Sequence, residues 1–112
     1  MSLVDKIRQA RRINIKVGKI TFTGTRATVE QALTYGAKRT PDADICRIHI
    51  NGWEGVKESD LIDVGSADAV SFDKELFHEI IGEKQDWWKE IAKEVLRDAY
   101  DRVDKRKENE KK

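Results

Sequence analysis

Apolar positions along this chain repeat with two periods, and each switch of period marks an element. Leu3, Ile7 and Ala10 fall three and four apart, with Ser2 placed to cap them. That spacing predicts a short helix over 2–12. Its other face carries Lys6, Arg8, Arg11 and Arg12. At Ile13 the period becomes two. Ile13, Ile15 and Val17 alternate with Asn14 and Lys16, and after Gly18-Lys19 the residues Ile20, Phe22 and Gly24 alternate with threonines. Two such runs around a Gly-Lys pair predict a β-hairpin over about 13–25, with the glycine first in a type II′ turn. A lone hairpin is marginal in water, so this one must lie on helices or on another chain's sheet.

Helical spacing returns at Thr28. Thr28 and Gln31 have the spacing of a capping box, in which each side chain accepts from the other residue's free backbone N–H. Val29, Ala32, Leu33 and Gly36 share one face, and the helix should end at Gly36 or Ala37. Lys38 and Arg39 then suit the negative end of its dipole. Thr40-Pro41, followed by Asp42 and Asp44, reads as another helix N-terminus. Ile45, Ile48, His49 and Gly52 would form its stripe; the competing pattern is Cys46, Ile48 and Ile50 alternating as a strand. The start signals favour the helix, ended by Gly52.

Ser71 or Asp73 caps a helix over 74–81. With Asp73 as the cap, Phe72 and Phe77 stand at the positions of a hydrophobic staple, and Gly82 is placed as a left-handed C-terminal residue. Asp86 opens the last and longest helix. Trp88, Ile91, Ala92, Val95, Ala99 and Val103 form its stripe, broadened by Leu96 and Tyr100. Beyond Asp104 the sequence KRKENEKK has no apolar residue, which predicts a disordered tail. The pattern as a whole is α+β: a mainly α-helical single domain over 1–104 with one N-terminal β-hairpin, and a charged tail over 105–112.

One stretch breaks the periodicity, NGWEGVKESDLIDVGSADAVSF from Asn51 to Phe72. Trp53 lies in it between two glycines, and a ring of this size in a loop anchors the loop to something. The stretch reads as a connector between two capped helices, pinned by Trp53 at one end and Phe72 at the other. Trp87 and Trp88 are adjacent, so a helix points them about 100° apart and only one enters the core fully. Trp88 favours the core; Trp87 fits core and interface equally, since tryptophan is enriched at binding hot spots.

A chain of 112 residues has room for one domain. Its charged fraction of 38% exceeds the usual quarter or so, which leaves a modest core. There is no apolar run of about 18 residues to predict a transmembrane helix, and MSLVDKIRQARR lacks the apolar stretch of a signal peptide. The lone Cys46 has no partner for an internal disulfide, in keeping with a reducing cytoplasm.

The net charge of +1 hides a segregated layout. Residues 1–40 hold nine Lys/Arg against two Asp/Glu, residues 41–104 hold eight against seventeen, and residues 105–112 hold five against two. Such a layout favours oriented association, in a homo-oligomer or with a charged partner, unless the two regions simply face each other within one fold.

Chemistry is not signposted. Cys46 and His49, three apart, are half of a zinc site, but only His78 remains as a further nitrogen donor. The same pair lacks the orienting group and oxyanion site of a nucleophile and base. The acids Asp42, Asp44, Glu54, Glu58, Asp60, Asp63 and Asp68 do not have the spacing of a calcium loop. The glycines form neither kind of phosphate-cradling motif. No catalytic, cofactor or metal residue is therefore predicted, and no enzyme. Arg8, Arg11, Arg12, Lys16, Lys19 and Arg26 could neutralise phosphates, but a pI near 7.8 and the lack of a recognised motif weigh against nucleic acid.

Laid end to end, the elements resemble a known group. A basic N-terminal helix, a short hairpin, helices, GWEGV, an acidic gap, VSFDKELF and a Trp-bearing final helix span roughly residues 13–103 in their matching part. This resembles small proteins of the tail modules of long-tailed bacteriophages and prophages, the tail assembly chaperone type above all. Trp53, Gly55 and Val56 match a Trp-x-Gly-Val element; Val70, Ser71, Phe72 and Asp73 match a valine–polar–phenylalanine–polar helix start. Where such proteins often show an Asp-Gly turn between the two, this chain has Asp63-Val64-Gly65-Ser66.

The resemblance implies a non-enzymatic role in the host cell cytoplasm. It would be that of a cover for the tape-measure protein, binding it or the tail-tube protein during tail morphogenesis. A homo-oligomer fits this, with no membrane. The residues expected at the partner are Trp53, Glu54, Val56, Phe77 and Trp87, with Arg8, Arg11 and Arg12. The alternatives are a minor structural tail protein of the virion and a small nucleic-acid-binding regulator using the basic N-terminal third.

Overall fold

A computed structural model describes residues 2–110, with side chains as far as Asp104. Helix α1 (Leu3–Ala10) leads into strands β1 (Arg12–Val17) and β2 (Ile20–Thr25). Helices α2 (Val29–Lys38) and α3 (Asp42–His49) follow, then strand β3 (Ile50–Glu54) and a single-turn helix α4 (Glu58–Leu61). Helix α5 (Lys74–Ile80), a 3₁₀ turn (Ile81–Glu83) and the long α6 (Gln85–Glu110) complete the chain. The class is α+β, and the hairpin is N-terminal as its alternation predicts. The charged tail predicted over 105–112 falls on residues whose side chains lie outside the described ones; backbone there is helical to Glu110.

The hairpin turns as its Gly-Lys pair requires. Gly18 has φ of 61° and Lys19 is not in the positive-φ region, the type II′ combination. The sheet that should support the hairpin comes from the same chain. β3 pairs antiparallel with β2, giving the order β1-β2-β3. One face carries Ile15, Ile20, Phe22 and Trp53, all buried, with Ile13 and Val17 packed beside them. The other face carries Arg12, Asn14, Lys16, Thr21 and Thr23. Helix α6 packs against α2, α3, β1 and the 3₁₀ turn through Ile91, Ala92, Val95 and Ala99, which are fully buried.

β3 was hidden inside the helix predicted to run to Gly52. The two competing patterns both hold, over different residues: α3 stops at His49 and Ile50 enters the strand without a turn. Thr23 pairs with Gly52 and Gly24 with Ile50, so Asn51 is the extra residue of a bulge. Gly24 is a glycine because of this junction. A Cβ there would lie 2.2 Å from the His49 carbonyl oxygen. Ile48 consequently leaves the buried stripe and is half exposed, while Cys46 joins Ile45 and His49 inside.

The local helix signals fare differently. The Thr28 capping box forms in full, with Gln31 N–H donating to Thr28 Oγ1 at 3.0 Å and Thr28 N–H to Gln31 Oε1 at 2.9 Å. Asp73 rather than Ser71 caps α5 by accepting from Leu76 N–H at 2.9 Å, and the staple pair Phe72 and Phe77 meet with ring centroids 5.6 Å apart. Helix α2 does not end at Gly36 or Ala37. It runs to Lys38 and closes at Arg39, with Thr40 N–H reaching the Tyr35 carbonyl and Arg39 N–H the Gly36 carbonyl. This is a Schellman closure with an arginine, at φ 52°, where glycine is usual.

Two further starts and stops move by one step. Thr40 does not cap α3; the Pro41 carbonyl accepts from Asp44 and Ile45 instead. Gly82 has no left-handed conformation and sits within the 3₁₀ turn, because the chain restarts a helix at once, with Trp87 and Trp88 N–H on the Lys84 carbonyl.

Candidate functional site

The Asn51–Phe72 stretch is organised by an aromatic cluster beneath the sheet. Trp53 stands edge-on to Phe72 at 5.1 Å, Phe77 at 6.1 Å and Trp87 at 6.4 Å. Phe22 meets Trp87 at 5.2 Å from the neighbouring strand. The Trp53 indole N–H donates to the Val70 carbonyl at 2.7 Å, so one side chain ties β3 to the far end of the connector. The connector closes on itself as well: Val70 N–H reaches the Val56 carbonyl at 2.9 Å and Glu58 N–H the Asp68 carbonyl at 3.0 Å. The anchoring role read from Trp53 and Phe72 is the one these contacts perform.

Burial separates the residues predicted at a partner surface. Trp53, Val56, Phe77 and Trp87 are all buried, so their side chains build the core and offer a partner no surface in this conformation. Trp87 takes the core place that the sequence favoured for Trp88, which is half-buried. Helix α6 begins at Gln85, and its buried ridge runs Trp87, Ile91, Val95. Glu54, Arg8, Arg11 and Arg12 are exposed.

Cys46 and His49 diverge. The Cys46 thiol is buried, 3.7 Å from the Trp88 carbonyl, and burial first and the Asp42 charge second push its pKa up to about 12. A thiol held that high supplies no thiolate near neutral pH. His49 is buried between two partners. Its Nδ1–H donates to the Thr25 carbonyl at 3.0 Å, which leaves Nε2 to accept from the Tyr35 hydroxyl at 2.8 Å. Burial holds the imidazole below its ordinary pKa, against the opposing pull of the Thr25 carbonyl. This histidine ties α2, α3 and β2 together as a neutral ring. Among the described residues no three of His, Cys, Asp and Glu gather as a metal would require.

The surface carries what the core does not. Arg8, Arg11 and Arg26 line a concavity with Thr25, Thr28 and Gln31. Asp98 lies 3.7 Å from Arg26 and 3.2 Å from Arg102, while no ion pair to Arg8, Arg11 or Arg12 is present among the described residues. Helix α1 stands at the edge of this basic region with no buried residue. Leu3 is 72% exposed, Val4 54% and Ile7 42%.

A second bare apolar pair lies in the connector, Ile62 at 51% and Val64 at 92% exposure, among Glu58, Asp63 and Asp68. Helical periodicity shows that α1 is two-faced but not that its apolar face is left open. Val64, in a turn between acids, carries no periodic signal at all.

No protein-family model matches the chain, and no curated protein or solved structure matches it. Among the described residues no helix is long and apolar enough to cross a membrane.

Proposed function

We propose that this chain is a non-enzymatic binding protein of phage tail assembly. It covers a tape-measure or tail-tube protein in the host cytoplasm until the finished tube replaces it. The observation that carries the binding reading is α1: an amphipathic helix whose apolar side chains are bare and flanked by Lys6, Arg8 and Arg11. A helix of this kind binds by laying its apolar face against another apolar surface. The residues behind the resemblance, Trp53, Val56, Val70 and Phe72, belong to the scaffold that holds the connector, so they support the family reading rather than the contact itself.

Co-expression with the tape-measure and tail-tube proteins tests it. The chain should co-purify with one of them, and Leu3→Glu with Ile7→Glu should abolish this without lowering the melting temperature. Co-purification with neither sinks the proposal. Mass spectrometry of purified particles then distinguishes a chaperone, absent from them, from a minor structural tail protein, present in them. The arginine-lined concavity favours one other reading, contact with a phosphate backbone. A salt-dependent gel shift lost in the Arg8/Arg11/Arg12→Ala variant would establish it, and a flat salt response would remove it.

A further inference from the structure

Two of the bare apolar surfaces, on α1 and in the connector, are opposite in charge. Around α1 the stripe of Leu3, Val4 and Ile7 has Lys6 on one side and Arg8 on the other, with Arg11 at its C-terminal end and Asp5 on the far face. The patch of Ile62 and Val64 lies in a stretch with Glu58, Asp60, Asp63 and Asp68 against Lys57 and the Lys19 that pairs with Asp60, so its surroundings are acidic on balance. They also lie at opposite ends of the hairpin. α1 feeds into β1 at Arg12, whereas the Lys19 ammonium, just past the other end of β1, pairs with Asp60 of α4 at 3.6 Å. A strand of six residues separates those ends by about 20 Å. One copy of the chain therefore cannot bring its own two patches together.

We infer that copies of this chain associate head to tail, with α1 of one copy docking on the Ile62–Val64 patch of the next. The alternatives within a homo-oligomer are worse. Pairing α1 with α1 would set Arg8 and Arg11 against their own kind, and pairing two connector patches would set Asp63 and Asp68 against theirs. When each copy engages its two patches with two different neighbours the contact is heterologous, and copies add one after another into a row or a ring. Each contact is small. α1 spans about 12 Å, and an interface of that size falls below the range of stable dimers. The association is accordingly weak and salt-sensitive in solution, and a tail partner that takes up the same face of α1 competes with it.

Sedimentation velocity on the full chain tests this without a tail partner. The wild-type weight-average mass should climb with protein concentration and fall when salt is added. Ile7→Glu places a carboxylate against the acidic patch, and Val64→Lys places an ammonium against the basic helix. Both positions are exposed, so circular dichroism and melting temperature should be unchanged. Each variant alone should associate about a hundredfold more weakly.

The deciding sample is their mixture. The Val64→Lys chain keeps an intact α1 and the Ile7→Glu chain keeps an intact patch. They should form a one-to-one dimer at wild-type strength and nothing larger. A wild type that stays monomeric at every concentration and salt overturns the inference. So does association that survives either substitution, or a mixture that forms no dimer. The result is separable from the tail-partner proposal: failed co-purification leaves head-to-tail pairing standing, and a monomeric wild type leaves co-purification standing.

Discussion

Trp53 is the residue on which core and interface readings divide most sharply, and two substitutions separate them. Trp53→Ala removes the ring from its contacts with Phe72, Phe77 and Trp87 and leaves a void below the sheet. Large aromatic truncations of this kind cost about 3–5 kcal/mol. Trp53→Phe keeps a six-membered ring against those neighbours but loses the indole N–H on the Val70 carbonyl. The lost hydrogen bond contributes about 1 kcal/mol and the smaller ring about as much again, so the variant should lose about 2 kcal/mol. In a domain of this size 1 kcal/mol moves the melting temperature by roughly 4 °C, which sets Trp53→Phe near 8 °C and Trp53→Ala at about 12–20 °C.

Urea unfolding followed by far-ultraviolet dichroism gives the free energies without depending on the indole's own fluorescence. Hydrogen exchange gives the location. The amides of Val70 and Glu58, which close the connector, should exchange faster in Trp53→Phe, while those in the middle of α6 should not. The reasoning fails if Trp53→Phe is as stable as wild type with connector amides unchanged. It fails equally if Trp53→Ala keeps full stability and loses only a partner.

His49 gives a pH dependence whose sign is fixed. Its folded pKa lies below the ordinary value of 6.5, so as pH falls through that value the unfolded chain takes up the proton first. The His49 contribution is fully present above about pH 6.5 and declines below it. Urea midpoints at pH 7.5 and pH 5 should therefore converge in His49→Gln relative to wild type, and equal slopes in the two proteins would contradict the buried neutral ring. Gly24→Ala should destabilise by about 1–3 kcal/mol, because the added Cβ meets backbone that cannot move aside. A wild-type urea midpoint would mean that β2 and the His49–Ile50 junction are not in contact. Arg39→Gly should stabilise by about 1 kcal/mol by removing a side chain from the left-handed region, and a lowered midpoint would show that Arg39 has a partner that matters more than its backbone.

Sequence reading succeeded where a few neighbouring residues settle the outcome. Thr28 with Gln31, Asp73 with Leu76, and Gly18 before Lys19 each satisfy their backbone within four positions, so their pattern is complete in the chain. It failed where a distant strand decides. Ile50–Glu54 is strand because β2 is there to pair with it, and five residues containing a glycine carry too little alternation to show this alone. Gly52 looked like a helix stop, yet its lack of a Cβ serves Thr23, whose hydroxyl oxygen would lie 2.4 Å from one. The exchange of Trp88 for Trp87 in the core has the same origin. Periodicity fixes the width of an apolar stripe, but which edge of it turns inward depends on Phe22 and Trp53 arriving from the sheet.

The surface proposed for a partner is illegible in the sequence for a reason that follows from composition. A domain of 112 residues with 38% charged residues has few large apolar side chains, and its sheet needs the rings of Phe22, Trp53, Phe77 and Trp87 to fill one core. Hot-spot statistics for tryptophan therefore point the wrong way in such a chain: the rings are already committed. What is left for a partner is the apolar residues the core does not take, and these are mostly aliphatic: Leu3, Val4 and Ile7 on α1, Ile62 and Val64 in the connector, and Leu33, Ile48 and Tyr100 singly on other helices. α1 adds a physical constraint of its own. An isolated helix shorter than about 12–15 residues is marginal in water, and α1 has eight, held by the Ser2 cap and the Arg26 N–H on the Arg11 carbonyl. Covering its apolar face would lower the free energy of the helix and of the contact together. Docking of α1 and completion of its helix are then one event, and any surface that binds it should also protect its amides from exchange.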